Sequence, residues 1–302
     1  MLRTNIIFAF FMAVMISTGC DPQDGGGNEG DCFCTGESPT GSINMVCGES
    51  ICLGGQGYSC SAHQFVEPAP EACACSPGEC ADGDKCMNAS CVPNPECNEL
   101  PARDCTGSAA FCGELIQMNP SLTDAYDDYP INGETASNQY RSWMRRDLAM
   151  LVEHASAVVA CRAASWPTGN GGPLGLGDMS ESNGDIPGTS VGQPGHPDNT
   201  HENGYDIDLA YYQLGQQNNR LRPICVHTTN GQEQYHCTAE PHILDVWRTA
   251  LFLGAVFDSP RTRVIGVDGK AGPKLRAALV SLCDHGWLQP VVCNKINLAY
   301  EE

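Results

Sequence analysis

Apolar residues recur at helical spacing in three stretches of the C-terminal half. Met144, Leu148, Leu151, Ala155 and Val158 fall on one face of a helix over residues 139–163. Residues 243–258 (ILDVWRTALFLGAVFD) predict a second, more apolar helix that stops before Pro260. Residues 271–285 predict a third, with Leu275, Leu279 and Leu282 on one stripe and Gly286 as its C-terminal stop. Residues 164–200 form a long Gly-rich loop, and a loop of that length inside a compact domain is usually functional or disordered. Residues 204–213 predict a strand entering the core, and Arg263–Val267 a short buried strand. Helices and strands mix without a regular βαβ repeat, which predicts an α+β fold.

The N-terminal pattern is of another kind. Arg3 precedes an eleven-residue uncharged apolar run, Ile6 to Ile16, followed by Ser17-Thr18-Gly19-Cys20. This reads as a secretory signal, because a spanning helix needs about 20 apolar residues. The small residues before Cys20 resemble a bacterial lipobox, which implies lipidation at Cys20 and an exported chain anchored by lipid in the cell envelope, in the periplasm or on the outer surface. An ordinary signal peptide cut nearby is the alternative. Residues 21–31 (DPQDGGGNEGD) are a flexible acidic tether with nothing to bury. Residues 32–97 are cysteine-dense disulfide modules, 98–136 a linker with Pro101, Pro120 and Pro130, and 137–302 the main domain.

Cysteine usage agrees with export. Nineteen cysteines less Cys20 leave eighteen, enough for nine disulfides in an oxidising compartment. Thirteen lie between Cys32 and Cys112 and five at Cys161, Cys225, Cys237, Cys283 and Cys293. Both counts are odd, so full oxidation demands at least one bridge between the two regions. The net charge of −20, with only sixteen Lys plus Arg, excludes an electrostatic nucleic-acid binder and gives no attraction to anionic lipid.

Candidate chemistry concentrates in Gly195-His196-Pro197-Asp198-Asn199-Thr200-His201-Glu202-Asn203-Gly204-Tyr205-Asp206-Ile207-Asp208. Neutral imidazole and carboxylate are the usual ligands of a catalytic zinc. Five of the eight histidines, His196, His201, His227, His236 and His242, lie within this stretch or shortly after it. In an unbroken strand residues seven apart face opposite sides, so His201 and Asp208 can share a metal only if the chain bends between them. Asn203-Gly204 is a suitable bend, since both residues tolerate positive φ. Asp206 and Asp208 lie on one face, and spacing does not choose between them. A competing motif, Gly188-Thr189-Ser190-Val191-Gly192, fits G-x-S-x-G but lacks the strand before and helix after that a nucleophile elbow needs.

Leu176-Gly177-Asp178-Met179-Ser180, the Gly-rich loop, and His201-x6-Asp208 together resemble the penicillin-insensitive murein endopeptidases. These belong to the zinc peptidase group that includes the D-Ala-D-Ala peptidases and the hedgehog domain. The helix around Trp247-Arg248 and Val264-Ile265-Gly266-Val267 followed by a helix keep that family's order, and the similarity covers roughly residues 139–290. The resemblance implies a hedgehog/DD-peptidase-like α+β domain with zinc bound by His201 and Asp208. It implies a further metal position that His196, Glu233 and His236 could serve, and peptidoglycan peptides as substrate. The family completes its zinc site with a His-x-His pair on a late strand, and no histidine follows His285 here. Either that strand lies beyond Glu302, or Asn294-Lys295-Ile296-Asn297 is a degenerate version of it. Two functions follow: an exported zinc endopeptidase acting on peptidoglycan cross-links, or a non-catalytic surface binding protein that keeps the peptidase fold.

Overall fold

The computed structural model describes residues 33–38, 41–46, 50–53, 56–61, 64–66, 80, 84–87, 90–120, 124–127, 141–166, 169–192 and 199–301. The signal segment, Cys20, the tether and His196 lie outside the described residues. Two compact units emerge: one ends at Pro95, and the other comprises Glu96–Ala164 and Gly169–Glu302.

The first unit is built of short antiparallel pairs. β1 (Phe33–Ser38) pairs with β2 (Gly41–Val46). β3 (Ser50–Leu53), β4 (Gln56–Ser61) and β5 (Gln64–Val66) form a three-stranded meander. β6 (Asp84–Met87) pairs with β7 (Ser90–Pro93), and a disulfide joins Cys80 to Cys91 on β7. Isolated hairpins are marginal in water, and the Cys80–Cys91 bridge cross-links the last of these pairs.

The second unit is α+β. It opens with α1 (Ala109–Cys112), capped by the Ser108 side chain, and β8 (Leu115–Gln117). β9 (Tyr126–Asp127) follows, then β10 (Trp143–Arg145), which pairs antiparallel with β8. The described residues between 98 and 127, part of the stretch that the sequence presents as a linker, belong to this unit. The disulfides Cys97–Cys161 and Cys105–Cys112 hold its first part. Cys97–Cys161 is the inter-region bridge that the odd cysteine counts require.

α2 (Arg146–Arg162) begins seven residues later than the periodicity predicts. Met144 fits the helical spacing, yet it lies on β10 and is buried there, because the backbone of Trp143–Arg145 pairs with β8. β11 (Leu174–Gly175) pairs parallel with β9, and the hairpin of β12 (Thr228–Thr229) and β13 (Gln232–Glu233) is closed by the disulfide Cys225–Cys237. α3 (Val246–Asp258) starts at Asp245, whose side chain accepts a hydrogen bond from the Arg248 N–H, and ends at Ser259 before Pro260. It is buried nearly all round and packs between α2 and α4 (Ala271–Asp284). Leu275, Leu279 and Leu282 form the buried stripe of α4, and Gly286 takes the positive φ of a helix stop. β14 (Ile265–Asp268) leads into α4, and after α5 (Pro290–Cys293) the chain returns as β15 (Leu298–Glu301), parallel to β14. A parallel pair needs a crossover, which α4 and α5 supply. Among the described residues no helix is long and apolar enough to cross a membrane.

The strand expected over residues 204–213 is absent. Leu209 and Gln213 make only isolated bridges, to Leu176 and Leu244. Residues 210–213 are all buried, without the alternation of a half-buried strand.

Candidate metal centre

The turn at residues 199–204 bends the chain as His201-x6-Asp208 requires. Asn199, His201, Asn203 and Gly204 all have positive φ, between 54° and 69°. Glycine takes this region freely, and asparagine and histidine are among the side chains that enter it most often. Backbone bonds hold the turn: Asn203 N donates to Gly184 O at 2.8 Å, and Arg145 N donates to Gly204 O at 3.1 Å. A Cβ on Gly204 would sit 2.6 Å from Arg145 N and 2.8 Å from Met144 Cα, so only glycine allows this approach to β10.

Asp208 is fixed by its backbone. Its N–H donates to Asp178 O at 3.0 Å and its carbonyl accepts from Gly177 N at 2.8 Å. A Cβ on Gly177 would meet Asp208 Cβ at 2.9 Å, which accounts for glycine there. Asp178 is in turn ion-paired with the buried Arg141 guanidinium. The GDMS stretch is therefore the shelf on which Asp208 rests.

The His201 imidazole lies between two carboxylates. Nδ1 is 3.5 Å from Asp206 Oδ2, and Nε2 is 3.7 Å from Asp208 Oδ2. His201 is 2% exposed and Asp206 6%. Asp206 Oδ2 also accepts a 2.9 Å hydrogen bond from the His201 backbone N–H, while Asp206 Oδ1 is buried without a hydrogen bond. Two ligand atoms at ~2.0–2.1 Å from one tetrahedral zinc lie ~3.3 Å apart. The Nε2–Oδ2 separation is only a few tenths of an ångström wider, so His201 and Asp208 fit as two ligands of one ion. Spacing alone left Asp206 and Asp208 equivalent; here each faces its own ring nitrogen.

The other sequence candidates lie elsewhere. Glu233 is paired across its hairpin with His227 Nδ1, and its Oε1 accepts from Tyr235 N at 2.8 Å. His236 is half-buried beside the Cys225–Cys237 disulfide. His242 titrates below the ordinary histidine range because burial penalises its charge. His285 is the C-terminal cap of α4. Ser190 of the G-x-S-x-G motif sits on a short 3-10 turn, Thr189–Val191, where its N–H donates to Glu181 Oε1. That is not the strand-turn-helix of a nucleophile elbow.

Among the described residues one group of three or more potential ligand side chains converges: Cys225, Cys237 and Asp268. The two thiols there form a disulfide, and Asp268 accepts from the N–H groups of Cys237, Lys270 and Ala271, so it joins the staple to the start of α4. Sequence reasoning missed Arg141 and the role of Asp206. The only signal for either was the charge of Asp206 beside a presumptive ligand.

No family model matches the chain, and neither a curated protein nor a solved structure matches it.

Proposed function

We propose that this chain is an exported zinc metallopeptidase, of the hedgehog/DD-peptidase type, that hydrolyses peptide cross-links of peptidoglycan. The observation that carries the reading is the 3.7 Å approach of the buried His201 Nε2 to Asp208 Oδ2 across a glycine-dependent turn. The sequence resemblance supports it, as does the element order that follows the turn: Trp247 and Arg248 on α3, then β14 and α4. Bound there, zinc supplies polarisation of the scissile carbonyl and a water whose pKa falls to about 7. His201 and Asp208 would hold the ion, with the His201 ring buried and the Asp208 carboxylate partly open to solvent. Lipidation at Cys20 would tether the chain to a membrane, with the cysteine-rich unit as a stalk or wall-binding module.

A second reading is a non-catalytic surface protein on the same fold. It is favoured by the ligand count, because catalytic zinc takes three protein ligands and an open position, and among the described residues no third side chain joins His201 and Asp208 in such a group. Elemental analysis of the full chain after dialysis tests the first reading: one zinc per chain is expected, lost in His201→Ala and in Asp208→Ala. A wild-type chain that takes up no zinc overturns it. Cleavage of cross-linked muropeptides by the zinc-loaded chain rules out the second reading.

A further inference from the structure

We infer that the consecutive arginines at the start of α2 form a carboxylate clamp for an acidic peptide, beside the turn that carries His201. Each of the two guanidinium groups is stacked on an exposed ring. Arg145 lies 4.5 Å from the centroid of the Tyr205 ring, and Arg146 4.2 Å from that of Phe111. Tyr205 is 59% exposed and Phe111 49%. Both guanidinium groups reach the same short stretch, residues 111–114. Arg146 Nε donates to Phe111 O at 3.3 Å and its Nη2 donates to Glu114, while a Cβ on Gly113 would sit 2.9 Å from Arg145 Nη1. Tyr205 stands between Gly204 and Asp206, and Arg145 N donates to Gly204 O at 3.1 Å, so the row begins at the candidate centre.

Two features point to a ligand rather than to an internal staple. The first is donor capacity. Arg145 spends Nε and Nη2 on Asp147, at 3.2 Å each, and Arg146 spends Nε and Nη2 on residues 111 and 114. Nη1 of each fork is bonded to none of the described residues, and such forks match a carboxylate. The second is charge. Arg261 shares Asp147 with Arg145, so three guanidinium groups meet two carboxylates, and this ion-paired group keeps one positive charge on a chain of net charge −20. An anion that the chain as a whole repels is attracted here. The exposed rings add apolar area for the residues that flank its carboxylate. The inference rests on the peptidase reading for the class of ligand. Asp208 is three residues beyond Tyr205, so their Cα atoms are no more than ~11 Å apart, about the span of three extended residues of a bound peptide.

The test is titration of the metal-free full chain with the peptide Ala-Glu-Ala-Glu and with Ala-Gln-Ala-Gln amide, which has the same length and no carboxylate. The Tyr205 ring signals in carbon-13 NMR, identified as those lost in Tyr205→Phe, should shift with the acidic peptide and not with the amide. Calorimetry should show the acidic peptide bound at least tenfold more tightly than the amide. That affinity should fall about tenfold in Arg145→Gln and in Arg146→Gln, and stay unchanged in Lys274→Gln, which removes a cation of α4. Equal affinity for the two peptides overturns the inference, as do unmoved Tyr205 signals or a loss in Lys274→Gln as large as in the arginine variants. If the arginine variants do not fold, the wild-type ring signals decide alone. A chain that takes up no zinc removes the proposed function but not the clamp, whose titration uses no metal. Zinc uptake without a preference for the acidic peptide removes the clamp alone.

Discussion

Replacing Cys97 and Cys161 together by serine removes the longest-range disulfide of the second unit. The bridge closes 64 residues of sequence, against 12 for Cys225–Cys237 and 10 for Cys283–Cys293. In the chain-entropy account a cross-link stabilises by restricting the unfolded chain, with a logarithmic dependence on loop length. The 64-residue loop then corresponds to ~4 kcal/mol and the 12-residue loop to ~3 kcal/mol. The difference between them, ~1.5 kcal/mol, depends only on the ratio of loop lengths and not on the additive constant. Cys105–Cys112 lies inside the long loop and shortens it by a few residues, which changes the value by only ~0.1 kcal/mol.

Urea unfolding followed by circular dichroism reads this directly. The Cys97→Ser/Cys161→Ser chain should lose ~4 kcal/mol, and its denaturant slope should rise because the unfolded chain expands. Cys225→Ser/Cys237→Ser should lose ~1.5 kcal/mol less. Equal losses in the two variants, or a larger loss from the short loop, would refute the loop-length argument and locate the stabilisation in native contacts instead.

Three other perturbations test the packing. Arg248→Met strips the buried Asp245 carboxylate of its 2.7 Å partner and should cost ~3–5 kcal/mol by denaturation, most of it recovered in Asp245→Asn/Arg248→Met. Gly204→Ala forces a β-carbon against the backbone of β10 at positive φ; the φ alone costs roughly 1–2 kcal/mol, and the melting temperature should fall further than that figure implies. Glu153 titrates above the ordinary carboxylate range, chiefly because burial penalises its charge, with the Tyr126 hydroxyl opposing the shift and Asp124 adding to it. The native state therefore keeps this proton to higher pH than the unfolded chain, and stability falls as pH rises from about 4.3 through the native value. Glu153→Gln should match wild type at the acid end, gain on it across that window and keep a constant advantage at neutral pH; parallel stability curves would contradict the assignment.

The helical layer was legible because its signals are local. α3 carries its own cap at Asp245 and its own stop before Pro260, and Gly286 marks the end of α4. The parity of the cysteine counts required an inter-region bridge, and Cys97–Cys161 provides it. Met144 misled because a residue just before a helix can continue its apolar period while its backbone pairs as a strand; only β8, distant in sequence, decides between the two. The expected strand at residues 204–213 failed for a related reason. Period tells which face a residue occupies, but a strand also needs a continuous partner, and residues 174–180 offer only short bridges. The bend at Asn203-Gly204 was readable from residue type, whereas the assignment of Asp206 and Asp208 to separate ring nitrogens depends on where the imidazole comes to rest.

That resting place is set by the core. Ile207 is buried in a cluster with Met118, Tyr126, Met144, Leu176 and Met179, and Leu209 packs against the same cluster. Successive side chains of an extended segment alternate, so burying Ile207 and Leu209 turns Asp206 and Asp208 to the opposite side. Residues two apart on such a segment lie about 6.5–7 Å from each other, which leaves room for an imidazole edge between their carboxylates. The apolar residue between the two aspartates therefore positions both, although it touches no metal. Ile207→Ala should cost ~2–5 kcal/mol and also weaken zinc binding. Leu279→Ala, equally apolar and buried in the helical layer, should cost a similar amount of stability and leave zinc affinity unchanged. Isothermal titration of zinc into both folded variants separates the cases. Equal affinities for the two would mean that the turn at 199–204 holds the histidine and its aspartates without help from the core beneath them.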